Sequence, residues 1–359
     1  MIELAADEPS PRTATDLLGH AQAEAAFLDA WSSGRLAHAW LICGPRGVGK
    51  ATLAFRIARF VLSGGGEGGG LFGGVAQTLD VAASHPVFRR IVSGGHADLK
   101  VLERSWSDDK RTKLKSEIPV DDVRGIGEFL SLTPAEGGWR VVIVDAVDEL
   151  NRSGANAILK ILEEPPKNAL LLLVSHSPGR LLPTIRSRCR RLVLQPLSEP
   201  LVTTLLERRH PDLDGADAQA IARLAEGSAG RAITLADEGG LGLYRDMMGL
   251  IGGLPRLDIA ALHAFADKLA KADDGFRTFC ELFSGWLARA ATGRDGGGAE
   301  VVAGEAALRR RLVAAAGLEP WVKVWEKTNL LFGRADAVNL DRKLVVVNAF
   351  LALERLGRP

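Results

Sequence analysis

The sequence predicts an α/β domain built on a mainly parallel sheet, followed by an all-helical remainder. Up to about residue 195, short apolar runs alternate with amphipathic segments, the pattern of strands joined by crossover helices. Two of those runs, Arg140–Val144 and Leu170–Val174, are almost wholly aliphatic, as strands covered on both faces are. Beyond Pro196 the strand-like runs stop and helical periodicity takes over.

Taken in order, Ala39–Ile42 reads as the first strand and Ala51–Leu62 as the helix after it. The strand at Arg140–Val144 is followed by Ala155, Ile158, Leu159 and Leu162 at i, i+3, i+4 and i+7, one face of a helix that Pro165-Pro166 stops. Leu170–Val174 and Arg191–Leu194 complete the strands. Pro196–Pro200 reads as a linker with Ser198 placed to cap the next helix, and Gly239-Gly240 marks a second boundary. The expected domains are therefore 1–195, 196–240 and 241–359. Near the end Leu340, Leu344, Val347 and Leu351 predict a long helix that buries that stripe, as core or as a subunit seam. The glycine-rich segments 64–74 and 293–298 read as surface breaks, and 103–117, mixed in charge around Trp106, as a solvated insertion.

Composition narrows the function classes. The chain has 359 residues, 47% hydrophobic and 25% charged, which excludes wholesale disorder and suggests more than one domain. With 45 Lys+Arg against 44 Asp+Glu, it is not a generally basic, nucleic-acid-coating protein. The longest aliphatic run, Ala169–Val174, is far short of a membrane span, and the acidic start predicts no secretory signal. Three widely spaced cysteines make neither a disulfide framework nor a zinc cluster, so the cytoplasm is the expected compartment.

The strongest chemical signal is Gly44-Pro-Arg-Gly-Val-Gly-Lys50, between a predicted strand and a predicted helix. In that context Gly44, Gly47 and Gly49 let backbone N–H groups approach a polyphosphate, and Lys50 reaches its terminal groups. The next residue should carry a hydroxyl for Mg²⁺; here it is Ala51, with Thr52 one place late and about 100° round the helix. Asp145 ends an aliphatic strand as a metal-side acid would, but Ala146 follows it, and the nearest further acids are Asp148 and Glu149. Glu149 reads as a solvated or capping acid. The segment Thr184–Arg191 holds four arginines in six residues, read from composition alone as a solvated patch.

Glu163-Glu164-Pro165-Pro166 and Ser187-Arg188-Cys189, in that order after the P-loop, resemble the clamp-loader family of AAA+ proteins, as does Asn339–Lys343 in the last helix. The resemblance implies a RecA-like domain, a helical lid and a C-terminal collar within a hetero-pentamer of motor and delta-type subunits. That assembly acts on a sliding clamp and primer–template DNA. It implies that Arg188 is a trans arginine finger serving a neighbour's ATP, and that Ser175 and His176 occupy the region that reports the γ-phosphate. Taken alone, His176 reads as an ordinary partly buried histidine. Arg231 stands one place late after Gly227-Ser228-Ala229 for the lid arginine of a hydrolysing subunit. The expected cofactor is ATP, bound without efficient hydrolysis and with Mg²⁺ poorly held. Zinc is not expected, because only His85, His96 and Asp98 lie where relatives carry four cysteines. The rival readings are an active motor subunit of the same loader and an unrelated P-loop enzyme such as a nucleotide kinase.

Overall fold

A computed structural model of the chain describes residues 10–65, 76–106, 115–136, 138–271, 273–292, 300–338 and 340–357. Most of the 64–74 loop, the centre of the 103–117 segment, the 293–298 break and Asn339 lie outside the described residues. The chain divides into two compact units, Met1–Leu197 and Ser198–Pro359.

In the first unit the order is α1 (Ala21–Ser32), β1 (Ala39–Cys43), α2 (Lys50–Leu62), α3 (Pro86–Val92), β2 (Leu99–Glu103), α4 (Val120–Ser131), β3 (Arg140–Asp145), α5 (Arg152–Glu163), β4 (Ala169–Ser175), α6 (Pro183–Arg188) and β5 (Arg190–Val193). The strands form one five-stranded sheet in the order β2-β3-β4-β1-β5, every pairing parallel. Alternate residues of each central strand enter opposite cores. Trp40 and Ile42, Val141 and Ile143, and Leu170, Leu172 and Val174 pack with α1, α2 and α3. Leu41, Val142, Val144, Leu171 and Leu173 pack with α4, α5 and α6. This double cover is why β3 and β4 read as continuous aliphatic runs. The strand β2 was not among the expected elements, although Leu99-Lys-Val101 alternates as a half-buried strand does. Glu103, expected within a solvated insertion, is instead its last residue, in register with Asp145. The far end of that insertion is also tied in, because Ile118 N–H donates to Glu149 O at 2.8 Å.

Two buried arginines join α2 to the segment before α1. Arg59 donates to Arg12 O (3.1 Å) and Ala14 O (2.6 Å) and lies over the Phe88 ring. Arg56 donates to Glu24 (2.8 Å), Asp80 (2.7 Å) and Thr15 O. Buried guanidiniums are tolerable because acceptors and rings replace the water they lose.

The second unit is helical: α7 (Glu199–Arg209), α8 (Gly215–Ala225), α9 (Ala229–Asp237), α10 (Gly240–Gly252), α11 (Ile259–Ala270), α12 (Asp273–Thr292), α13 (Glu305–Ala316), α14 (Leu318–Val338) and α15 (Arg342–Gly357). Ser198 occupies the N-cap of α7, but its hydroxyl makes no capping bond, correcting that expectation. Pro200 stands in the first turn without an N–H, and Leu201 N–H bonds the Ser198 carbonyl instead. Only two residues separate α9 from α10: Glu238 is the C-cap of α9, and Gly239, at φ +67°, is the N-cap of α10. Ion pairs Arg245–Asp217 (2.6 Å) and Arg289–Glu226 (2.9 Å) cross that boundary.

The leucine stripe expected to be buried in the last helix is not its core face. Leu344 is 58% exposed, whereas Val345, Val346, Ala349, Phe350 and Leu353 are buried. The helix starts after Asp341, whose carboxylate accepts from Leu344 N–H (3.1 Å), and Phe350 is turned into a cluster with Phe265, Phe279 and Phe283. Aromatic burial outweighs the leucine pattern in choosing the face. Phe350→Ala should therefore lower unfolding free energy by about 3–5 kcal/mol, and Leu344→Ala should change it by less than about 0.5 kcal/mol. Denaturant unfolding followed by circular dichroism checks this, and the opposite ranking would restore the leucine face as core.

Candidate functional site

The parallel sheet brings the carboxyl ends of β1, β3 and β4 to one edge, the side on which open α/β sheets bind ligands. The loop Gly44–Gly49 leaves β1 there and runs into α2. Gly44 is required by contact: at φ +151°, a Cβ would lie 2.5 Å from Leu194 O. Gly47 and Gly49 also have positive φ, +72° and +105°. From below, the buried His20 ring donates from Nε2 to Val48 O at 2.6 Å, fixing the loop. The first N–H groups of α2 lack intrahelical partners, as at any helix start. The loop and α2 thus have the backbone of a phosphate cradle.

Lys50 is 3% exposed, and its ammonium donates to Gly44 O (2.8 Å) and Pro45 O, the carbonyls of its own loop. Burial pulls its pKa down to about 8, opposed by Asp145 and Asp148. Asp145 is pushed up to about 6, first by burial and then by Glu103 beside it, with Lys50 acting against them. Ala51 and the half-buried Thr52 follow Lys50 in the first turn of α2, and Ala146, buried, follows Asp145.

The two further acids have specific partners. Asp148 accepts from the backbone N–H groups of His176 (2.9 Å) and Ser177 (3.2 Å), closing the turn after β4. Glu149 corrects the expectation of a solvated or capping acid. Its side chain is 16% exposed, and its two oxygens pair with Arg46 (2.9 Å) and Arg104 (2.8 Å). The short turn Val147–Glu149 directs it back toward the loop, while Asn151 caps α5 by accepting from Gly154 N–H (2.8 Å). Ser175, fully buried, ends β4 in register with Cys43. His176 beside it has its pKa lowered to about 4 by burial and then by Lys50 and Arg46. Nothing in the sequence reports the Arg46–Glu149 pair, whose members stand 103 residues apart.

Arg188 is the last residue of α6. Its guanidinium pairs with Glu163 at the end of α5 (2.9 Å) and donates to Thr184 O (3.1 Å). The neighbouring arginines differ from one another: Arg190 lies over the Trp40 ring at 4.8 Å, and Arg191 is exposed on β5. Burial pushes the Cys189 thiol up to about 12. In the second unit, Ser228 caps α9 by accepting from Arg231 N–H (3.1 Å). Of the candidate zinc ligands, His85 caps α3 (Nδ1 accepting from Val87 N–H, 3.2 Å) and Asp98 accepts from Ala135 and Glu136 N–H (2.8 and 3.1 Å). No described helix is long and apolar enough to cross a membrane.

Residues 19–198, half of the chain, match the family model described as DNA polymerase III, delta subunit. The chain belongs to that family. It is 34% identical over 221 residues to DNA polymerase III subunit delta' of Pseudomonas aeruginosa, a match covering 62% of this chain and 61% of that protein. It is 32% identical over 232 residues to subunit tau of Escherichia coli, covering 64% of this chain and 33% of the relative. With subunit delta' of Bacillus subtilis the identity is 33% over 165 residues, 45% of this chain and 44% of the relative. The matches thus span from a third to three fifths of these relatives' lengths.

The raised Asp145 pKa makes stability depend on pH. A carboxyl that titrates near 6 in the folded chain and near 3.8 unfolded holds its proton more tightly when folded. Its contribution is fully present below pH 3.8 and is lost as pH rises through 6. Asp145→Asn should therefore gain stability over the wild-type chain at pH 7.5, by on the order of 2 kcal/mol, and lose that advantage by pH 4. Denaturant unfolding at the two pH values tests the sign.

Proposed function

We propose that this chain is a delta'-like subunit of the DNA polymerase III clamp loader that binds ATP without turning it over efficiently. In this reading Gly44, Gly47, Gly49 and Lys50 hold the polyphosphate, with Thr52 and Asp145 nearby. Arg188 serves ATP on a neighbouring motor subunit. The observation that carries the reading is an intact phosphate loop beside two blank positions, Ala51 and Ala146. Bound ATP would supply a polyphosphate and a γ-phosphate; the hydroxyl that would hold its Mg²⁺ and the carboxylate that would polarise water are missing at those two positions. Glu149 is a poor replacement base while guanidiniums occupy both its oxygens. Zinc has no part in this reading, since Asp98 and His85 are engaged with backbone N–H groups.

The family match supports assembly with other loader subunits. In this reading the chain's partners are the motor and delta-type subunits of a hetero-pentamer, the sliding clamp and primer–template DNA, in the cytoplasm. Residues 196–240 would serve as lid and 241–359 as collar. The similarity to subunit tau keeps one rival, an active motor subunit, which would need the groups that Ala51 and Ala146 replace.

The purified chain should turn over ATP far more slowly than the rate of about 1 s⁻¹ at the low end for kinases. A steady-state phosphate-release assay at or above that rate would establish the motor reading instead. Arg188→Ala should leave folding and the chain's own nucleotide affinity unchanged, yet lower ATP turnover by the assembled loader, by roughly 10³-fold or more at the one site it serves. Arg191→Ala is the matched control, because Arg190 is engaged with Trp40. Equal small effects of the two variants in the reconstituted loader would mean that Arg188 belongs to a solvated patch.

A further inference from the structure

The phosphate loop carries a cation that the nucleotide reading leaves unused. Arg46 lies at the loop's outer turn with its side chain 69% exposed, and among the described residues its charged contact is with Glu149, at 2.9 Å. Glu149 is in turn held from the other side by Arg104, at 2.8 Å and 27% exposed, just beyond the end of β2. One carboxylate therefore balances two guanidiniums. If Arg46 leaves, Glu149 keeps a partner and no uncompensated acid remains. The second carboxylate of the same turn, Asp148, is committed to the N–H groups of His176 and Ser177, so it offers Arg46 no alternative. The loop is meanwhile closed on itself by Lys50, which donates to the Gly44 and Pro45 carbonyls.

We infer that Arg46 is a phosphate-binding residue held in reserve, that Glu149 is the positioning residue that restrains it, and that Arg104 is the fixed counter-charge that permits its release. A polyphosphate in the loop offers a guanidinium several acceptor oxygens and more charge than one shared carboxylate does. Arg46 exchanges Glu149 for phosphate, and the Arg104–Glu149 pair stays behind. The inference rests on the nucleotide-binding reading of the loop and gives its affinity a regulator: whatever strengthens the hold of Glu149 on Arg46 weakens polyphosphate binding.

The test uses the full chain at fixed ionic strength, with inorganic tripolyphosphate and ATP as separate probes in calorimetric titrations. Glu149→Gln should tighten both by about three- to tenfold, since the neutral amide keeps the shape but loses the ionic hold. Arg104→Ala should do the reverse and weaken both, because Glu149 then has Arg46 alone. Arg46→Ala should weaken binding, and the Arg46→Ala/Glu149→Gln double variant should bind like Arg46→Ala. A brace that only stiffens the fold would make Glu149→Gln and Arg104→Ala move affinity in the same direction, and that result overturns the inference. So does a gain from Glu149→Gln that survives loss of Arg46, or an absence of binding in the wild-type chain and Glu149→Gln alike. Lys50→Ala separates the two levels. If it binds as the wild-type chain does, the nucleotide reading fails; if it abolishes binding while Glu149→Gln changes nothing, only the restraint on Arg46 fails.

Discussion

The candidate site depends on the parallel register of β1 between β4 and β5. That register places Cys43 opposite Ser175 on one side and Val193 on the other, so the chain leaving β1 starts beside the ends of both neighbours. The Leu194 carbonyl then lies where a side chain at position 44 would project, and only glycine fits. Beyond that point the loop turns into α2, and His20 holds it by the Val48 carbonyl. The aliphatic strands serve the site by making this edge rigid. Residues buried on both faces leave the sheet little freedom to shift, so a loop attached to it inherits a fixed position.

Charge distribution at the edge follows from the same geometry. Glu103, Asp145, Asp148 and Glu149 arrive from neighbouring strands and turns, and the last three are offset in different ways. Asp148 is satisfied by peptide N–H groups, Glu149 by two guanidiniums, and Asp145 partly by Lys50 and partly by holding its proton more tightly. A hydrolysing site needs acids free to hold a metal and to polarise water. In this chain position 146 carries no acid, and Asp148 and Glu149 are already engaged in holding the turn after β4 and the loop. Asp145 is left with its carboxyl held toward the protonated form by burial. That engagement adds to what Ala51 and Ala146 already imply for the proposed nucleotide-binding role with little turnover.

Much of the fold was legible because it rests on local properties. An aliphatic run such as Leu170–Val174 can only be satisfied by burial on both faces, and Pro165-Pro166 stops the helix before it. The elements that escaped prediction have weaker local signatures. The strand β2 is short and partly exposed, and it is recognisable mainly because β3 pairs with it. Ser198 has the composition of a cap, but Pro200 removes a donor that a cap would use.

The class of the sheet, the glycine-rich loop with its lysine between β1 and α2, and alanine at positions 51 and 146 were all legible in the chain alone. Each follows from residue types at fixed short spacings, and spacing along a strand or helix translates directly into direction. Tertiary structure alone decided which acid meets which base. Arg46 finds Glu149 and Arg188 finds Glu163 across the folded domain, and the last helix turns Phe350 rather than Leu344 inward. Those choices depend on which surfaces face one another after packing, and many residues of the right charge or size compete for each partner. No periodicity encodes the outcome.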